Sequence, residues 1–103
     1  MEDSSRNIVY VDSDLFDLVS VLIESLSSEL VEIVSGFDDG DYSFMREKVH
    51  SSKGAALTFG FGVYAEELEN LRQAVLDQDD ARIRQSIDKL KALLERAVFS
   101  PAG

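Results

Sequence analysis

Apolar side chains in this chain recur every three or four residues over long stretches, and short acidic turns interrupt the pattern. Leu15, Val19, Leu22, Leu26, Leu30, Ile33 and Phe37 keep helical spacing, while Glu24, Ser27, Ser28 and Glu32 fall on other faces. This predicts one long amphipathic helix over residues 13–35, with Asp12 or Ser13 as its cap and Gly36 as its stop. After Asp38-Asp39-Gly40-Asp41 a second helix is expected over 42–59, capped by Asp41. A third, over 63–76, turns Tyr64, Leu68, Leu71 and Val75 inward. Asp77-Gln78-Asp79-Asp80 ends it and caps a fourth, whose Ile83, Ile87, Leu90, Leu94 and Ala97 alternate steps of four and three, the seam of a bundle. The expected fold class is therefore all-α, an antiparallel up-down four-helix bundle. Ile8-Val9-Tyr10-Val11 reads as an extended lead-in over one end of the bundle, since a lone strand leaves its edge unpaired. Pro101 and Gly103 mark a frayed tail. One domain spans 1–103, with a core of about 12–99, a lead-in at 1–11 and a tail at 100–103.

Charge narrows the function classes. Ten basic against twenty acidic side chains leave a net charge of -10. Such a surface repels nucleic acid and anionic lipid, whose binding draws on Lys and Arg, so neither nucleic acid nor membrane is an expected partner. With no cysteine, disulfides, thiolate metal sites and thiol nucleophiles are excluded. Met1-Glu2-Asp3-Ser4-Ser5 has neither the basic start nor the apolar run of a signal peptide, and no apolar run approaches the roughly 20 residues needed to span a bilayer. The expectation is a cytoplasmic, monomeric domain.

The second helix carries the chemistry. At about 100° per residue, Met45, Val49, Ser52, Ala56 and Phe59 fall on one narrow stripe, which must be its buried seam. Measured from that stripe, His50 lies about 140° away, Arg46 about 100°, Lys53 about 80° and Gly54 about 180°. The only histidine of the chain thus points outward in mid-helix between two cations. Gly54 costs a helix interior about 1 kcal/mol relative to alanine; tight helix packing would explain it, but its position opposite the seam favours clearance for something approaching the ring. Ser43, Glu47, Leu57 and Phe61 fall near the His50 line and are candidates for a docking rim, although packing of Leu57 and Phe61 against a neighbouring helix is an equally good reading.

His50-Ser51-Ser52-Lys53-Gly54-Ala55 resembles the His-x-x-Lys-Gly-small signature of histidine-containing phosphotransfer (HPt) domains. Thr58-Phe59-Gly60-Phe61 is similar to a Tyr-Gly-Phe-type continuation in one bacterial branch of that family, and helix order agrees from about residue 12 to residue 97. Two positions depart from the family pattern. Ser52 stands where an apolar residue is usual, and Arg72 follows Leu71 where Leu-Glu is common. The resemblance implies a histidine phosphocarrier of a multistep two-component phosphorelay. His50 would accept a phosphoryl group from a receiver-domain aspartate through Nε2 and return it to another, with Lys53 touching the phosphate, Arg46 as a secondary cation and Gly54 giving clearance. It implies response-regulator receiver domains and a hybrid histidine kinase as partners, and no bound cofactor, because the receiver brings the Mg²⁺.

Other functions are poorly served. Lys53-Gly54 is not the Gly-Lys-Ser/Thr of a P-loop and Gly60-Phe61-Gly62 completes no dinucleotide fingerprint, so ATP-dependent kinase activity is not expected. Asp12-Ser13-Asp14 and Asp77-Gln78-Asp79 lack the spacing of a calcium loop, and one histidine without cysteines offers no metal site. Glu66, Glu67 and Glu69 read as a wet helix face rather than a catalytic dyad. The alternative to a carrier is a helical adaptor that binds a receiver, or dimerises, without carrying phosphate.

Overall fold

The computed structural model describes residues 7–102. Strand β1 (Asn7–Asp12) leads through a short 3₁₀ turn (Phe16–Leu18) into helix α1 (Val19–Asp38), followed by α2 (Tyr42–Thr58), α3 (Gly62–Leu76), α4 (Asp80–Arg96) and strand β2 (Ala97–Ala102). Each helix packs on the next and α1 closes the bundle against α4, the all-α arrangement that the periodicity and the short turns predict. Leu22, Leu26, Leu30 and Ile33 of α1 meet Met45, Val49 and Ala56 of α2, Leu68, Leu71 and Val75 of α3, and Ile83, Ile87 and Leu90 of α4 in one buried core. The caps are those expected at two starts: the Asp41 carboxylate accepts the Phe44 N–H at 3.1 Å and the Asp79 carboxylate accepts the Arg82 N–H at 3.2 Å.

Helix α1 departs from expectation at both ends. Asp12 does not cap it; its carboxylate accepts the Asp14 N–H at 2.9 Å and so shapes the turn that leaves β1. Nor does Gly36 stop it, since the helix continues to Asp38. A Cβ at Gly36 would lie 3.0 Å from Met45 Cγ and 3.0 Å from Phe44 Cδ2. Glycine is there to let the start of α2 press against α1.

The expected lone lead-in and frayed tail are instead one structure. β1 and β2 pair in parallel, from Asn7 beside Ala97 to Asp12 beside Ala102. The fourth helix accordingly ends at Arg96, and Ala97, read from periodicity as a seam residue, lies in the strand. Residues 1–6 of the expected lead-in and Gly103 of the expected tail lie outside the described residues. Val9 and Val11 are buried in the core, and the Phe99 ring meets Phe61 edge-on at 5.4 Å. The pair therefore closes the end of the bundle beside the α2–α3 turn, satisfying the edge that a lone strand would expose.

Gly60 makes that closure possible. Its φ of +78° is a left-handed conformation, and a Cβ there would lie 3.0 Å from the Tyr10 carbonyl oxygen. Gly60→Ala should lower stability by about 1–2 kcal/mol, or roughly 4–8 °C in melting temperature per kcal/mol for a domain of this size. An unchanged thermal melt would show that the turn and β1 yield without resistance.

Candidate functional site

Four side chains fix how α2 sits. Met45, Val49, Ser52 and Ala56 are each at most 1 % exposed, the stripe expected apart from Phe59, which is half-buried. With that stripe inward, His50 is exposed near the middle of a continuous helix, one turn from Arg46 and Gly54, both exposed as well. A Cβ on Gly54 would meet nothing within 4 Å. Close packing is thereby removed as the reason for this glycine, and ordinary helical geometry does not require it. What remains is an unobstructed surface beside the imidazole.

Neighbouring helices hold this segment with carboxylates. Ser51 Oγ donates to Glu29 Oε2 at 2.6 Å and Ser52 Oγ donates to Glu29 Oε1 at 2.7 Å. Glu29 of α1 thus clasps two consecutive residues of α2 immediately after the histidine. On the other side, Lys53 Nζ donates to Glu69 Oε1 of α3 at 2.9 Å, while Arg72 Nη2 and Nε donate to Glu69 Oε2 at 2.6 and 3.0 Å. The hydrogen bonds from Arg72, then those from Lys53, pull the Glu69 pKa from 4.5 down to about 2, so this carboxylate is ionised at any working pH. Lys48 forms a further, looser ion pair with Glu32 at 3.5 Å. Arg46 has no ion pair among the described residues.

The candidate residues read from sequence divide accordingly. His50, Arg46, Gly54, Ser43, Glu47 and Leu57 share the exposed side of α2, and Leu57 keeps 56 % of its surface in solvent. Lys53 is on the same helix but half-buried and engaged by Glu69. Phe61 is not at the rim. It is fully buried, its ring stacked on Tyr64 at 5.0 Å. The helix ends at Thr58, so the wheel that aligned Phe61 with His50 no longer applies beyond it. Glu29 and Glu69 were missed as parts of the site, Glu69 having been read as solvated surface. A serine in an apolar stripe, which needs a hydrogen-bond partner when buried, was the signal for Glu29. An arginine three residues after Glu69 was the signal for the second.

A family model described as the Hpt domain matches residues 17–98. Comparison with curated proteins and with solved structures gave no match. No helix among the described residues is long and apolar enough to cross a membrane.

Folding lowers the Glu69 pKa, so its pairs contribute fully to stability above about pH 4.5 and lose that contribution as the pH falls toward 2. Glu69→Gln should melt below the wild type at neutral pH, and the two melting curves should converge as the pH is lowered through that window. A gap that persists at pH 2 would mean that charge is not the source of the effect.

Proposed function

The chain belongs to the Hpt domain family, which serves phosphotransfer in histidine–aspartate phosphorelays, and on that premise we propose that His50 is the residue that carries the phosphoryl group. The observation that carries this reading is the placement of the ring: exposed in mid-helix, with open space where a Gly54 side chain would stand. Imidazole is the side chain that most readily offers a neutral nucleophilic nitrogen near pH 7. Phosphoryl transfer asks the protein mainly for in-line access and for cations to meet oxygen charge. Both demands are served by this face.

In the proposed step, the lone pair of His50 Nε2 attacks the phosphorus of an aspartyl phosphate as the phosphorus–oxygen bond to the aspartate breaks. The bonding electrons leave with the carboxylate, and the proton on Nδ1 stays where it is. Transfer to a second receiver runs the same step in reverse. Lys53 is the first cation within reach and Arg46 the second. The Mg²⁺ belongs to the receiver's carboxylates, so this chain needs no cofactor of its own.

Partner chemistry is read from charge. Helix α2 carries Arg46, Lys48 and Lys53 against one acid, Glu47, in a chain of net charge -10. The helix that presents the histidine is thus locally basic and complements an acidic, metal-binding receiver pocket. Exposed Leu57, with Ser43 and Glu47, supplies the rim of that contact. Receiver domains and a histidine kinase are the classes of partner associated with the family; a hybrid kinase as donor, a monomeric state and a cytoplasmic location complete the proposal.

Incubation with a phosphorylated receiver should place acid-labile label on the chain, and His50→Gln should abolish it. Undiminished labelling of that variant would reject the assignment, and binding of the receiver without label would favour an adaptor. Gly54→Ala separates stability from access. With nothing for the methyl to strike, it should stabilise the helix by about 1 kcal/mol yet slow transfer from the receiver. Transfer at an unchanged rate would show that clearance at this position is not used.

A further inference from the structure

We infer that Glu69 is the resident counter-ion of the phosphoryl site, holding Lys53 and Arg72 in the unphosphorylated protein and ceding both to the phosphoryl group once it is on His50. The inference rests on the phosphocarrier reading and adds Arg72 as a phosphoryl-contacting residue and Glu69 as a positioning residue.

Helix register carries the argument. α2 and α3 are joined by the three residues between Thr58 and Gly62 and run antiparallel, as so short a connection between packed helices dictates. Lys53 of α2 and Glu69 of α3 meet at 2.9 Å through the tips of their side chains, which puts the two positions at similar heights on the neighbouring helices. Three residues back along α2 lies His50; three residues forward along α3 lies Arg72. In antiparallel helices these steps point the same way, each covering about 4.5 Å. Arg72 therefore stands at the level of the histidine on the helix alongside it. Its guanidinium is turned back toward Glu69, at 2.6 Å.

Glu69 is arranged as a phosphoryl group would be. One carboxylate oxygen takes the ammonium and the other takes the guanidinium, and oxygens of a phosphoryl group bind the same two cations in the same way. A phosphoryl group carries about -1.5 to -2 charges at neutral pH against the carboxylate's single charge, so it outbids Glu69 for cations within reach. Both ion pairs are partly exposed, and exposed pairs are weakly held. The exchange needs only side-chain rotation, because all three residues lie on helices already in place.

The test charges the full chain with phosphoramidate, whose phosphorus–nitrogen bond breaks with loss of ammonia as the bond to Nε2 forms, so no partner is required. Wild type, Glu69→Gln, Arg72→Ala and His50→Gln are compared at pH 8 by the Arg72 side-chain signal in ¹⁵N NMR, where the arginine is present. The ³¹P signal of the phosphoryl group is then titrated downward from that pH. Charging should move the Arg72 signal in wild type and leave it in place in His50→Gln. The midpoint read from the ³¹P signal, set by the Nδ1 proton of the phosphorylated ring, should rise in Arg72→Ala by about 0.5 pH unit, a roughly threefold gain in proton affinity, and fall in Glu69→Gln. A merely structural Arg72 would move neither signal. An Arg72 signal unchanged on charging, or a midpoint equal in wild type and Arg72→Ala, overturns the inference while the carrier reading stands. A wild type that takes no label, or a His50→Gln that keeps it, overturns the carrier reading and this inference together.

Discussion

The inward stripe of α2 is narrow, and its small members govern the whole site. Ser52 and Ala56 bring α1 and α3 close to the α2 backbone. With only one narrow side of α2 consumed by the core and its flanks held by neighbouring helices, the side opposite the seam is left exposed. His50, Arg46 and Gly54 occupy that side. A wider apolar stripe would have drawn the histidine into the interface, where the ring would have lost access to any partner.

Close approach brings a second consequence, which is that carboxylates from both neighbouring helices reach α2. Glu29 takes the hydroxyls of Ser51 and Ser52 from one side and Glu69 takes Lys53 from the other. The segment that follows His50 is tied on both flanks, so the imidazole rides on a backbone with little freedom to roll. Rigid placement suits the proposed transfer, whose barrier would respond to in-line geometry. It also means that Lys53, three residues after the histidine, is occupied at rest rather than waiting in solvent.

Much of this was legible in the residue pattern, and what was not shares a cause. α2 and α4 were readable because period, cap and turn agree locally, Asp41 and Asp79 both capping where the apolar repeat begins, and α3 was readable from its period alone. The outward placement of His50 followed from the same periodicity. The β1–β2 pair was not readable, because it joins residues some ninety positions apart in sequence, and nothing in Ala97-Val98-Phe99-Ser100 announces the partner. Phe61 was misplaced because helical spacing was carried past Thr58, where the chain turns and the ring swings under the strand pair to meet Phe99. Glu69 escaped notice because Arg72 signals an ion pair within α3 but not that the same carboxylate reaches Lys53 of α2. Long-range partners, rather than local conformation, were the hidden part.

Both departures from the family pattern, Ser52 and Arg72, turn out to be partners of these same carboxylates. A leucine at position 52 would fill the seam with apolar volume and take from half-buried Glu29 one of its two hydroxyl donors, leaving Ser51 alone to satisfy it. An acid at position 72 would set two like charges a helical turn apart beside Lys53, where Arg72 instead provides the strongest contact to Glu69. Each unusual residue is thus accounted for by a carboxylate that reaches it, Glu29 from a neighbouring helix and Glu69 from one turn earlier on its own. The two residues are therefore parts of one electrostatic arrangement around α2: anions placed on its flanks, with Arg46, beside His50, left without an ion pair among the described residues.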